Sequence, residues 1–238
     1  MDVYMALAVM LAYMVKGICG FADAILFTTA MSFQADNVNI SPVSLILGYP
    51  ANCIMAWTHR RRADRRVWLP ISLMLILGSI PGALFLKNTD AHVLKILLGI
   101  LVVAIGVEML LRQNRPKRPS KLKFPVMIVG LISGVLCGLY GIGVLMAAYL
   151  GHITEDTDSF KANISIIFIF ENTFRIIFYS IIGILTVSTL LKTLMLIPFM
   201  LLGLWIGIRI AKHTNEKHIR IIVILALILS GAALSLGV

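Results

Sequence analysis

Four uncharged runs limit what this chain can become. Residues 67–86, 124–152, 193–208 and 221–238 contain no Asp, Glu, Lys or Arg. A helix rises about 1.5 Å per residue, so about 20 apolar residues cross the roughly 30 Å hydrocarbon core of a bilayer. Apolar residues make up 59% of the chain and charged ones 13%, where a soluble domain carries about 25% charged residues. The strict apolar–polar alternation of a membrane β-barrel is missing from these runs. The sequence therefore predicts an all-α integral membrane protein that crosses the bilayer several times. Asp2 stands where a signal peptide has its basic region, and no small-residue cleavage site follows. The first apolar segment is expected to stay in the fold.

The formal net charge of +10 raises nucleic acid as a partner, and the placement of the charge argues against it. Arg60, Arg61, Arg62, Arg65 and Arg66 share one short loop, 58–66. Arg112, Arg115, Lys117, Arg118, Lys121 and Lys123 share another, 112–123. Basic clusters beside spans mark the cytoplasmic side, so both loops are expected there, within reach of anionic membrane lipid. Cys19, Cys53 and Cys137 lie inside apolar segments and read as small packing residues. His59, His92, His152, His213 and His218 sit at segment ends, so neither a metal site nor a cofactor is expected.

The chain divides into about eight segments: 3–33, 42–57, 67–86, 93–111, 124–150, 162–184, 188–211 and 219–236. Pro42 reads as the start of the second. The first and fifth are too long for one straight span and too short for two. Each is broken by glycines, Gly17 and Gly20 in the first and Gly138, Gly141 and Gly143 in the fifth. This is the plan of a duplicated unit, with repeats at 1–111 and 124–238 joined by the basic connector 112–123. Gly17 and Gly20 fall on Gly138 and Gly141 at an offset of 121, and Gly82 falls on Gly207 at an offset of 125. If the broken stretches cross fully, the repeats run parallel. If they enter and return as hairpins, the repeats are inverted. Arg209, Lys212, Lys217 and Arg220 in the last turn favour inversion, which places that turn inside with the other basic loops.

Broken helices in a membrane leave backbone donors and acceptors that only a cavity or buried protein can satisfy. Two breaks at matched places of two repeats point to the central site of a transporter, although glycine pairs also serve close helix packing. Starting the second half-helices at Phe21 and Ile142 aims the N–H groups of Phe21, Ala22 and Asp23, and of Ile142, Gly143 and Val144, at an anion. Asp23 itself can titrate, cap a half-helix or pair with Lys16 across the break. Glu171 and Arg175, four residues apart, share a helix face. Either they neutralise each other, or Arg175 is drawn to an anionic substrate. Lys161, Asn163, Ser165 and Asn52 are expected near the same cavity. No nucleophile–base arrangement supports an enzyme, and no GxGxxG motif or other nucleotide-binding module is found.

The glycine-rich opening repeated in both halves, the link ending in Lys161-Ala162, the loop Arg60-Arg61-Arg62-Ala63-Asp64-Arg65 and the run Pro81-Gly82-Ala83 resemble the TauE/SafE sulfite exporter family. The resemblance covers the whole chain. It implies a multi-pass protein of the inner (cytoplasmic) membrane that carries a small sulfur-containing anion such as sulfite or an organosulfonate. Carried over by position, the binding residues are Gly17, Gly20, Phe21, Gly138, Gly141, Gly143 and Lys161. Family openings have consecutive glycines where Ala22 and Asp23 stand here. The expected function is a secondary transporter of a small anion. A carrier of another small organic acid and a non-transporting assembly subunit are the alternatives. The expected partners are that anion and membrane lipid, and a homodimer is compatible with the sequence.

Overall fold

The structure is a computed structural model that describes residues 3–112, 124–154, 156–212, 228 and 232. The described residues are helical, without strands. Ten α-helices follow in order: α1 Val3–Cys19, α2 Asp23–Met31, α3 Asn37–His59, α4 Arg65–Asn88, α5 Ala91–Arg112, α6 Phe124–Tyr140, α7 Val144–Ile153, α8 Thr157–Ile181, α9 Val187–Leu194 and α10 Ile197–Ala211. A short 3₁₀ turn, Arg60–Arg62, follows α3. Helices Asn37–Arg62, Arg65–Asn88 and Thr157–Ile181 are long and apolar enough to cross a membrane, and α9 with α10 supplies a fourth such unit bent by 49°. The connector 112–123, apart from Arg112, and the expected last segment 219–236, apart from residues 228 and 232, lie outside the described residues.

Both glycine-broken stretches are hairpins. The Tyr4 hydroxyl in the first turn of α1 donates to the Ala30 carbonyl at the end of α2, at 2.8 Å. The chain has therefore reversed direction between them. In the other half, the Met146 methyl of α7 comes back to the level of Gly130 in α6. Gly20 (φ 85°) and Gly141 (φ 74°) make the reversals, a backbone region open to glycine at little cost. The half-helices begin at Asp23 and Val144, two residues later than Phe21 and Ile142. A left-handed residue ends the first arm, and the following two residues re-aim the chain.

Ala22 also takes a left-handed conformation, φ 79°, where an L side chain costs about 1–2 kcal/mol. Ala22→Gly relieves that strain and adds some unfolded-state entropy. The net gain is expected to be about 0.5–1 kcal/mol, read as a higher melting temperature in detergent. A lower one would show that the Ala22 methyl is needed where it sits.

Each hairpin leans on a helix from the other half of the chain. Along α1 and α10, a methyl on Gly17 would lie 2.7 Å from Leu204 O and Ile208 N, and one on Gly207 would collide with the Met14 carbonyl. Along α6 and α4, a methyl on Gly138 would collide with Ser79 O and one on Gly82 with Val135 O. Backbones thus meet without side chains between them, as small residues allow in membranes. The two seams use corresponding positions. Met14 and Gly207 stand to each other as Val135 and Gly82 do, and Met10 with Gly203 as Leu131 with Gly78.

Two segments differ from expectation. α3 starts at Asn37, so Pro42 lies inside the helix, where it costs one early backbone bond. Segment 188–211 is not one helix. Pro198 has no N–H for the Leu194 carbonyl and its ring crowds that group, and α9 ends at Leu194. Large apolar side chains such as Trp57, Leu77, Ile100 and Trp205 point outward, while Lys16, Asp23, Glu171 and Arg175 are buried.

Candidate functional site

The two reversals converge on one cavity. It holds about 450 Å³ of empty space, part of it open to the surface, between Phe21, Ala22 and Asp23 of the first break and Gly141 and Gly143 of the second. Ser44, Gly48 and Asn52 close one side from α3, and Phe168, Asn172 and Arg175 another from α8. A bond from the Thr28 hydroxyl to the Tyr140 carbonyl, 3.2 Å, ties the two hairpins together beside it.

The periodicity of the two long helices explains why these side chains meet. Ser41, Ser44, Gly48 and Asn52 recur every three or four residues and occupy one face of α3. Ser165, Phe168, Asn172, Arg175 and Tyr179 do the same on α8. A polar or small stripe in an otherwise apolar span is the sequence signal that marks Ser41, Ser44, Gly48 and Tyr179, none of which stood among the expected site residues.

Arg175 is the most heavily held group. Its side chain is 1% exposed. Nη2 donates to Ser41 Oγ at 3.0 Å and to Tyr179 Oη at 3.2 Å. Tyr179 Oη in turn donates to the Gly138 carbonyl at 2.6 Å, which fixes the guanidinium relative to the second break. Nη1 stands 3.5 Å from Glu171 Oε1. Nε has no hydrogen-bond acceptor among the described residues, and Oδ1 of Asn52 has no donor. Buried polar atoms left unmatched in a native fold call for a partner, and both residues line the cavity.

Asp23 pairs with Lys16 across the first break, Nζ to Oδ2 at 2.8 Å, with both residues buried. Of its expected roles, the ion pair is the one seen. It is the first residue of α2 rather than its cap, which is Ala22. The N–H groups of Asp23, Ala24 and Ile25 precede the first intrahelical bond of α2, from Leu26 N to Ala22 O. In α7 those of Val144, Leu145 and Met146 precede the bond from Ala147 N to Gly143 O. These are the free donors of two helix N-termini, and Asp23, Ala24 and Ile25 line the cavity.

The remaining expected residues do not line the cavity. Gly17 and Gly138 lie in the helix seams, and Gly20 turns the chain beneath the Lys161 side chain. Ile142 is fully buried and does not line the cavity. Nor do Lys161, Asn163, Ser165 or Glu171. Asn163 accepts from Asp64 N at 2.9 Å, and Asp64 caps α4 by accepting from Arg66 N. That contact gives the arginine-rich loop a structural task, joining it to α8. Among the described residues no cluster of His, Cys, Asp and Glu could hold a metal ion.

Searches among curated proteins and among solved structures find no match. A family model does match, that of Sulfite exporter TauE/SafE, over residues 5–234. With all but the extreme ends of its 238 residues covered, the chain belongs to the TauE/SafE sulfite exporter family of membrane transporters.

Proposed function

We propose that the protein is a secondary transporter that binds one small anion, sulfite or an organosulfonate, where its two helix breaks meet. One observation carries this reading: a buried guanidinium with an unmatched Nε lines the same cavity as both breaks. The cavity is bordered by two cations and one carboxylate, Lys16, Arg175 and Asp23. Lys16 and Asp23 answer each other, and Glu171 balances Arg175 from outside the cavity lining, so what the cavity itself meets is the Arg175 guanidinium and the half-helix N-termini, all favouring an anion. Arg175 offers a planar fork suited to an oxyanion.

The hairpins support two inverted repeats, 1–111 and 124–238. A hairpin returns the chain to the side it entered from, and α3, α4 and α5 then cross three times. The second half starts from the opposite face. On that path the loops 58–66 and 112–123 and the basic turn after α10 share one side, which the positive-inside rule makes cytoplasmic.

The test is flux by the purified chain in lipid vesicles. Sulfite and methanesulfonate are expected to move at rates well above protein-free vesicles, and faster than acetate. Folded protein that moves none of them would overturn the reading, and acetate moving fastest would reassign the substrate to carboxylates.

A further inference from the structure

Glu171 is a buried acid that stands behind the anion site rather than in it. It is 1% exposed and does not line the cavity, and among the described residues neither carboxylate oxygen accepts a hydrogen bond. Its counter-ion is Arg175, at 3.5 Å, longer than the roughly 2.7–2.9 Å of a good charge-assisted bond. Arg175 therefore stands between two claimants. Glu171 stands at Nη1, and the Arg175 side chain also lines the cavity, which Glu171 does not.

The other groups that act on Glu171 are Tyr179 on its own helix and the Cys137 thiol from α6. Both are neutral near pH 7 in their usual range, so neither replaces the cation. Two helices pack along α8: α3 sets Tyr49 on Thr173 and His59 on Asp158, and both are engaged there, while α4 has no titratable side chain between Val67 and Leu86. Across the cavity Lys16 is engaged with Asp23.

The charge count of the site then decides what enters. Empty, it is neutral: Lys16 with Asp23, Arg175 with Glu171. A monoanion added to these four leaves one uncompensated negative charge in a buried place, which is strongly disfavoured. One proton on Glu171 restores neutrality. We infer that the protein couples anion to proton: the anion takes over Arg175, and Glu171, losing its cation, takes up a proton. This rests on the anion reading above. The transported unit is one monoanion with one proton, and no net charge crosses.

Methanesulfonate is the probe, because its own charge is constant from about pH 5 to pH 9, well above the range of a strong acid. Binding to the purified full chain is measured by calorimetry across that range in buffers of different ionisation enthalpy. The wild type is expected to take up close to one proton per anion. Its affinity should weaken about tenfold per pH unit wherever empty-state Glu171 is ionised. Glu171→Gln, a neutral mimic of the protonated acid, should bind without proton uptake, at an affinity flat with pH and tighter than wild type at high pH. Glu171→Asp should keep the slope. Methanesulfonate binding to the wild type without proton uptake overturns the coupling alone, whether or not the Gln variant folds. A Gln variant that keeps the full slope overturns the assignment to Glu171. Absence of any methanesulfonate, sulfite or acetate binding by the wild type removes the anion site itself.

Discussion

Arg175→Ala is expected to remove anion binding and to loosen the fold at the same time. The side chain joins α8 to α3 through Ser41 and to the second break through Tyr179, and it is the counter-charge of Glu171. Truncating one member of a buried charge pair costs about 3–5 kcal/mol, most of it from the charge left behind. The single variant would therefore confuse lost binding with lost structure. Arg175→Ala with Glu171→Gln separates them, because no orphaned carboxylate remains. The double variant is expected to recover much of the lost thermal stability while binding anion at least about 100-fold more weakly, the scale for losing a desolvated charged contact. Thermal shifts with and without anion read both quantities. A double variant that regains stability and binds as tightly as wild type would take Arg175 out of the site.

Gly207→Ala and Gly82→Ala should damage the protein severely and to similar extents. At each position the added methyl meets a backbone carbonyl, Met14 O or Val135 O, which cannot rotate away as a side chain would. Overpacking a core costs about 1–3 kcal/mol and more where the neighbour is rigid. The expected result is a small yield of monodisperse protein in detergent and a melting temperature lowered by many degrees. Gly151→Ala is the control, since among the described residues nothing lies within 4 Å of the added methyl. Seam variants that behave like the control would mean that the helices have room to part.

Much of this architecture was legible in the chain because membrane insertion leaves few alternatives. Apolar segments located α4, α5 and α8 to within about five residues at each end, and the start of α6. Gly20 and Gly141 marked the reversals, because positive φ is where glycine has its advantage. Other features depended on tertiary contacts that spacing does not encode. Gly17 and Gly138 looked like site residues and are seam residues, since nothing local reveals that Gly207 and Gly82 lie opposite. Lys161 looked like a ligand and lies over Gly20. The Asp23 and Lys16 pair was one option among three, and the hairpin brings the two together at 2.8 Å. Ser44 and Gly48 were missed because a small polar stripe on α3 carries no charge to draw attention. The bend before Pro198 was readable from the proline alone.

The crossed seams also set a schedule for biogenesis. Met14 leaves the ribosome long before the glycine it rests on, Gly207. At roughly 5–20 residues per second, synthesis of the intervening stretch takes about 10–40 s. Over that time α1, with Lys16 and Asp23 already facing each other, has no permanent neighbour on its glycine face. The α4 and α6 seam closes much sooner, because Gly82 and Val135 are far nearer in the chain. One half of the carrier core is therefore assembled while the other waits, and the late-made α10 completes the early-made α1.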